Sequence, residues 1–226
     1  MIEPDPMLRS HPMTKPLELP VLQLPALEAA ALCRDPFDFV QVPHFVASER
    51  LGAVCRDFPK LSGTGSYPLN GQAYGPAFGQ LIAELTGPEI ERAIGEKFDL
   101  DLSLYPTLIT LRGRVGPRDG YIHTDSETKI LTLLLYLNED WLDPAGRLRL
   151  LRGPDDLENF AAEIEPSGGN LLVFRRSAAS FHGHYPVSGP RRALQMNWVV
   201  DAATRDKELR RHGRSAWLKR FRLPVH

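Results

Sequence analysis

The C-terminal half of the chain alternates apolar and polar positions in short runs, a pattern typical of half-buried β-strands. These runs cover residues 105–112, 129–138, 147–152, 160–164, 170–175 and 192–200. Turn-forming pairs such as Gly168-Gly169 and Gly189-Pro190 separate them. The pattern predicts a mainly β fold in which two sheets form a roll.

The rest of the chain predicts helices that support this core, and one further strand over residues 37–45. Residues 26–34 and 48–58 predict short helices, the second capped by Ser48. We expect a loop over 60–76, a helical region over 77–98 that breaks near Gly87-Pro88, and a charged helix over 204–220. The proposed organisation is a flexible leader (1–25) and a single domain (26–226), made of helical support (26–103), β core (104–200) and helical tail (201–226).

Composition and charge narrow the class of protein. With 28 acidic and 27 basic residues the formal charge is -1, which gives no reason to expect nucleic acid or a membrane surface as partner. Two cysteines, Cys33 and Cys55, are too few for a disulfide framework or a cysteine-rich zinc site, and they fit a cytoplasmic protein. No apolar run reaches the roughly 18 residues that span a bilayer, and the first residues do not resemble a signal peptide.

The candidate chemistry begins at His123 and Asp125, which are two residues apart and therefore lie on one face of an extended strand. His182 and His184 follow in the segment SFHGHYP. Two histidines and one carboxylate are the ligand set of non-haem Fe(II) oxygenases. The alternative is that His123 ends a strand and Asp125 begins a turn.

Residues on the flanking strands suggest a cavity beside these ligands. In the segment KILTLLLYLN, Thr132 and Tyr136 share a face opposite to a face made of leucines, which can pack on helices. Arg192 is in phase with Met196 and Trp198, so burying it would require an anionic partner. The alternative places Arg192 at the wet end of its strand. Arg191, on the opposite face, is expected to be an ordinary surface arginine.

The ordered series HTD, YLN, a glycine turn at Gly146, PSGGNLLVF and HxxxP followed by an arginine resembles the prolyl 4-hydroxylase-like branch of the 2-oxoglutarate/Fe(II) oxygenases over roughly residues 105–200. The resemblance implies a double-stranded β-helix, or jelly roll. It implies Fe(II), 2-oxoglutarate and O2 as cofactor and cosubstrates. It also implies hydroxylation of a substrate with release of succinate and CO2.

The resemblance also implies roles for individual residues. His123, Asp125 and His182 match the metal ligands, and His182 is chosen over His184 because Pro186 follows it at the family's spacing. Arg192 is chosen over Arg191 to bind the cosubstrate because of its distance from Trp198. Tyr136 matches the position where relatives bring a tyrosine to the same carboxylate, and Thr132 is a weaker candidate on the same strand face.

The substrate is left open by the sequence: a small molecule or a modified side chain. Arginines such as Arg112, Arg114 and Arg147 favour an anionic substrate, or they are charged faces of edge strands. Two other functions are compatible with the same fold. One is a cupin-like metalloenzyme that does not use 2-oxoglutarate, and the other is a non-enzymatic binding module that retains the barrel.

Overall fold

The computed structural model describes residues 19–220, and side chains as far as residue 213. Its helices are Leu24–Ala29 (α1), Ser48–Asp57 (α2), Pro76–Leu85 (α3), Pro88–Phe98 (α4) and Ala202–Arg220 (α5), with a 3-10 turn at Leu102–Leu104. Its strands are Phe39–Val42 (β1), Tyr67–Pro68 (β2), Thr107–Val115 (β3), Lys129–Tyr136 (β4), Leu148–Leu151 (β5), Phe160–Ile164 (β6), Leu171–Arg175 (β7), His182–Gly183 (β8) and Gly189–Val199 (β9).

The strands form two antiparallel sheets. The larger has the order β1-β7-β4-β9-β3-β2, and the smaller has the order β6-β5-β8. Most neighbours in the sheets are distant in sequence, so the chain repeatedly crosses between sheets, as in a jelly roll. The predicted fold class, mainly β with supporting helices, is confirmed.

Two cores lie on the two faces of the large sheet. On the outer face, Leu131, Leu133 and Leu135 of β4 are fully buried and pack in one cluster with residues of α2, α3 and α4. On the inner face, Tyr136 and Phe174 pack against Leu148 and Leu150 of the small sheet. The leucine face of β4 therefore packs on helices as its alternation predicts, and its other face points into the roll.

Most predicted elements are present, with small shifts at their ends. The break in the helical region separates α3 from α4, because Pro88 starts the second helix. One prediction about an end is wrong: Ala47, not Ser48, is the N-cap residue of α2, and no side chain caps it. The predicted loop contains the short strand β2.

The predicted leader needs a correction at its end. Its first 18 residues lie outside the described part of the chain. Residues 19–25, however, belong to the fold: Val21 is fully buried, and its backbone N–H donates to Glu84 Oε2 at 2.9 Å. Leu22 pairs with Val46, and α1 already begins at Leu24. Among residues 19–220, no helix combines the length and apolar character needed to cross a bilayer.

Candidate metal and cosubstrate site

His123 and His182 face each other across a two-residue antiparallel bridge. The backbone N–H of His123 donates to the carbonyl of His182 at 3.0 Å, and the reverse bond measures 2.9 Å. The two imidazole rings lie 4.4 Å apart between centroids. The backbone bridge thus brings together two histidines that are far apart in sequence and that the sequence predicts as metal ligands.

Backbone carbonyls orient both imidazole rings. Nδ1 of His123 lies 2.8 Å from the carbonyl oxygen of Tyr121, and Nδ1 of His182 lies 3.0 Å from that of Ser180. A carbonyl can only accept, so each Nδ1 carries the proton and each Nε2 keeps its lone pair. This is the arrangement in which a histidine can bind a metal.

Asp125 completes the group. One ligand atom from each of His123, Asp125 and His182 lies within 4.8 Å of the other two. Lys129 Nζ donates to Asp125 Oδ1 at 2.7 Å, and the Thr132 hydroxyl donates to Oδ2 at 2.5 Å. A carboxylate accepts about four hydrogen bonds or metal contacts, so both oxygens keep free lone pairs.

The protonation states favour a cation at this point. Burial, and after it the neighbouring His123, lowers the pKa of His182 to about 4. Burial acts to raise the pKa of Asp125, but the Lys129 ammonium and the hydrogen bonds that Asp125 accepts outweigh it, so this pKa is lowered. At neutral pH the site therefore offers a neutral His182 imidazole and an ionised Asp125 carboxylate, the forms that metal binding requires.

A cavity of about 130 Å³ extends from the three ligands into the roll, where Tyr136 and Arg191 line it. Both side chains are buried, with only 1% and 5% of their surface exposed. Arg191 Nη2 lies 3.4 Å from Tyr136 Oη, and its guanidinium carbon lies 5.0 Å from the centre of the tyrosine ring. Arg191 makes no ion pair within the described residues, so the cavity holds a buried, uncompensated cation.

The prediction that Arg192 faces this cavity is wrong, and its alternate Arg191 takes that place. In the antiparallel pairing of β4 and β9, Tyr136 lies opposite Ala193, whereas Leu135 lies opposite Leu194. Directly opposed residues point to the same face, so Arg191 shares the face of Tyr136. Arg192 shares the leucine face, and its Nη1 reaches the carbonyl of Cys55 at 3.4 Å.

Arg192 was predicted to face the cavity because it shares a strand face with Trp198. Trp198 is fully buried in the core between the large sheet and the helices, and does not line the cavity. Its phase therefore identified the wrong face of β9 as the cavity face.

Asn138 and Gly146 hold Arg191 in place, a role that the sequence did not predict for either residue. Asn138 accepts from the backbone N–H of Arg192 at 2.9 Å and donates to its carbonyl at 3.2 Å, which ties β9 to the end of β4. The carbonyl of Gly146 accepts from Arg191 Nε at 3.1 Å and Nη2 at 2.9 Å. Gly146 has φ 80°, which a residue with a side chain rarely adopts, and this explains the glycine in that turn.

Thr132 and His184 also line the cavity but have other partners. The Thr132 hydroxyl donates to Asp125 and accepts from Asn197 Nδ2 at 2.8 Å, so its contacts are with a ligand residue and not with the Tyr136–Arg191 pair. His184 Nδ1 lies 2.8 Å from the Tyr185 carbonyl, and burial beside Arg191 lowers the pKa of His184 to about 4. Of the described residues, His184 is not among those that converge as metal ligands.

Most of the other arginines noted in the sequence are paired with carboxylates. Arg147 contacts Glu163 and Glu165, and Arg149 contacts Glu158 and Glu163. These ion pairs support the interpretation of charged strand faces. Arg112 differs because it lines the cavity while its Nη1 contacts Asp119 at 3.1 Å.

Comparison with known proteins agrees with this geometry. Residues 114–200 match the family model described as the 2OG-Fe(II) oxygenase superfamily. The fold is similar to a prolyl-4-hydroxylase of Pseudomonas putida, with TM-score 0.53 and 20% identity over 78% of this chain and 90% of that chain.

Two further solved structures are similar. A prolyl 4-hydroxylase of Phytophthora capsici has TM-score 0.52 and 16% identity over 88% of this chain and 73% of that one. A 2OG-Fe(II) oxygenase family oxidoreductase of Burkholderia pseudomallei has TM-score 0.50 and 13% identity over 72% and 85%. A comparison with curated protein sequences found no significant match.

Residues 114–200 are thus a 2OG-Fe(II) oxygenase domain, and the resemblance seen in the sequence is confirmed. The domain is that of a 2-oxoglutarate-dependent dioxygenase, which uses Fe(II), 2-oxoglutarate and O2. The chain's own donors fit this chemistry, because two imidazoles and a carboxylate converge beside a buried guanidinium.

Proposed function

We propose that the protein binds Fe(II) through His123, Asp125 and His182, binds 2-oxoglutarate through Arg191 and Tyr136, and hydroxylates a C–H bond of its substrate with release of succinate and CO2. One observation carries the proposal: a buried arginine without an anionic partner lines the cavity that also contains the metal-ligand set. Leaving such a charge uncompensated is costly, so this pocket is built to take an anion.

The two ends of the cavity fit the two ends of a dicarboxylate. Arg191 uses Nε and Nη2 to hold the Gly146 carbonyl, which leaves Nη1 without a hydrogen-bond partner among the described residues. The Tyr136 hydroxyl lies beside the same guanidinium. Together they offer a charged and a neutral donor to one carboxylate, while the other end of the molecule faces the metal ligands.

The bound iron supplies the redox chemistry that couples decarboxylation of 2-oxoglutarate to oxidation of substrate. The chain supplies positions and protonation states. The Tyr121 and Ser180 carbonyls orient the imidazoles, Thr132 and Lys129 orient the Asp125 carboxylate, and the apolar inner core excludes water behind the cavity.

We assign the substrate to a second cavity, of about 260 Å³, that adjoins the metal-ligand set. His123 and Asp125 line both cavities, so a molecule in the second cavity lies next to the metal position. Its walls are mainly polar and include Gln195 and Asn197 from β9 and Glu208 from α5. This lining favours a small molecule or side chain with several hydrogen-bonding groups over an apolar one.

The test is formation of succinate from 2-oxoglutarate by the protein with Fe(II) and O2, without added substrate. We expect slow turnover, which His123→Ala abolishes. Turnover by an Arg210→Gln variant, altered at an exposed residue of α5, should be unchanged. Iron binding without any succinate under all substrates tried would contradict the proposal and favour a metalloenzyme that does not use 2-oxoglutarate. Failure to bind iron at all would favour a binding module.

A further inference from the structure

A second charged cleft lies away from the cavities just described. It has a volume of about 500 Å³ and lies between the end of α2 and the facing ends of β3 and β9. Four cationic side chains line it, from Arg56, Lys60, Arg114 and Arg192, together with one carboxylate, from Glu139. It shares no lining residue with the metal and cosubstrate cavity.

These four cations differ from most others in the protein. Within residues 19–213, none of the four forms an ion pair, although Arg147, Arg149, Arg152 and several others do. The Arg192 side chain reaches the Cys55 carbonyl, with Nη1 at 3.4 Å, and contacts no carboxylate among the described residues. Arg56, Lys60 and Arg114 are exposed, so water screens their mutual repulsion, and all four cations are available to an anion that enters the cleft.

The side chains that line the cleft indicate which kind of anion it could bind. Guanidinium groups bind phosphate oxygens in pairs, and a lysine ammonium adds a point charge. Phe58, Pro59 and Leu61 give the cleft an apolar wall beside the cations. These four cations lie around one cleft on a chain of formal charge -1, which favours a small anion over the extended backbone of a nucleic acid.

We propose that this cleft binds a small phosphorylated molecule that carries a diphosphate group or two neighbouring phosphates. Three net positive charges in the cleft match the charge of such a group near neutral pH. The apolar wall contacts the part of the molecule that bears the phosphates. This site is independent of the proposed oxygenase reaction.

The cleft and the cosubstrate pocket lie on opposite faces of β9, because Arg191 and Arg192 are neighbours that point in opposite directions. Asn138 holds the backbone N–H and carbonyl of Arg192, so a ligand on its side chain need not move Arg191. We therefore expect the phosphorylated ligand and 2-oxoglutarate to bind without displacing each other.

The test is calorimetric titration of the full-length, metal-free protein with inorganic pyrophosphate at low ionic strength. We expect an Arg56→Gln/Arg114→Gln variant to bind about tenfold more weakly or worse, because it loses two exposed charge pairings with the ligand. The matched control is Lys207→Gln/Arg210→Gln, which removes the same charge from exposed positions of α5. It should bind like the wild type, and circular dichroism should show all three proteins folded.

Several outcomes would overturn the proposal. These are no pyrophosphate binding at millimolar concentration, equal binding by both double variants, or competition between pyrophosphate and 2-oxoglutarate. If a single-stranded oligonucleotide without terminal phosphates bound more tightly than pyrophosphate, the ligand of the cleft would be a nucleic acid and not a small molecule. No iron and no turnover enter the measurement, so its failure is distinguishable from failure of the oxygenase proposal.

Discussion

Replacing Arg191 by glutamine removes the buried positive charge from the cosubstrate pocket and keeps a polar side chain of intermediate length. Arg191 is 5% exposed and lies beside Tyr136, so its contact with a carboxylate would be shielded from water. A hydrogen bond to a charged partner contributes about 1.5–3 kcal/mol, and burial of this guanidinium places its contact at the upper end. The expected loss of about 3 kcal/mol corresponds to a ~100-fold rise in the Kd of 2-oxoglutarate.

The assay is anaerobic calorimetric titration of 2-oxoglutarate into protein loaded with a redox-inactive divalent metal. Arg192→Gln is the matched control, because it makes the same chemical change one residue away on the opposite face of β9. We expect its Kd to stay within about threefold of the wild type, as for a surface charge. A larger effect at Arg192 than at Arg191, with both variants folded, would refute the assignment of the pocket.

The remaining predictions concern the metal and the pH dependence of stability. His182→Ala should abolish binding of Fe(II), whereas His184→Ala should retain it, as measured by anaerobic metal titration; the reverse result would exchange the two roles. Thr132→Val removes a hydrogen bond to Asp125 and should weaken metal binding by about 10- to 100-fold, while unchanged affinity would show that Lys129 suffices to hold the carboxylate. In the metal-free protein, His182 has a folded pKa of about 4 against 6.5 for the free side chain, so the unfolded state binds the proton first as pH falls. We therefore expect this group to leave the free energy of unfolding unchanged above pH 6.5 and to lower it by about 3 kcal/mol between pH 6.5 and 4. Urea titrations at several pH values measure this. If a His182→Asn variant lost stability equally steeply with falling pH, the expectation would be contradicted.

Much of the site could be predicted from the sequence because its key relations are local. His123 and Asp125 are two residues apart, and the alternation of β4 separates Tyr136 from the leucines that pack on the helices. The break at Pro88 is likewise local, because proline is accepted in the first turn of a helix but interrupts one in its interior. The spacing of Pro186 also supported His182, which the structure brings to His123.

Other features depend on which residues meet across the sheets. The end of the leader could not be read from its prolines, because burial of Val21 and its bond to Glu84 join segments that are far apart in sequence. Lys129 reaches Asp125 next to an irregularity in the pairing of β4, between Lys129 and Leu131, which no periodicity signals.

The adjacent arginines Arg191 and Arg192 show which part of the site depends on the sequence alone and which part depends on tertiary structure. The sequence by itself determined that one arginine of this pair lies inside the roll and the other outside, because neighbouring residues of a strand point to opposite faces. Only the tertiary structure decided which one, through the pairing of Tyr136 with Ala193 and the bonds from Asn138 that hold the start of β9. A shift of one residue exchanges the faces of a whole strand, so the register that forms between strands distant in the chain determines which arginine enters the pocket.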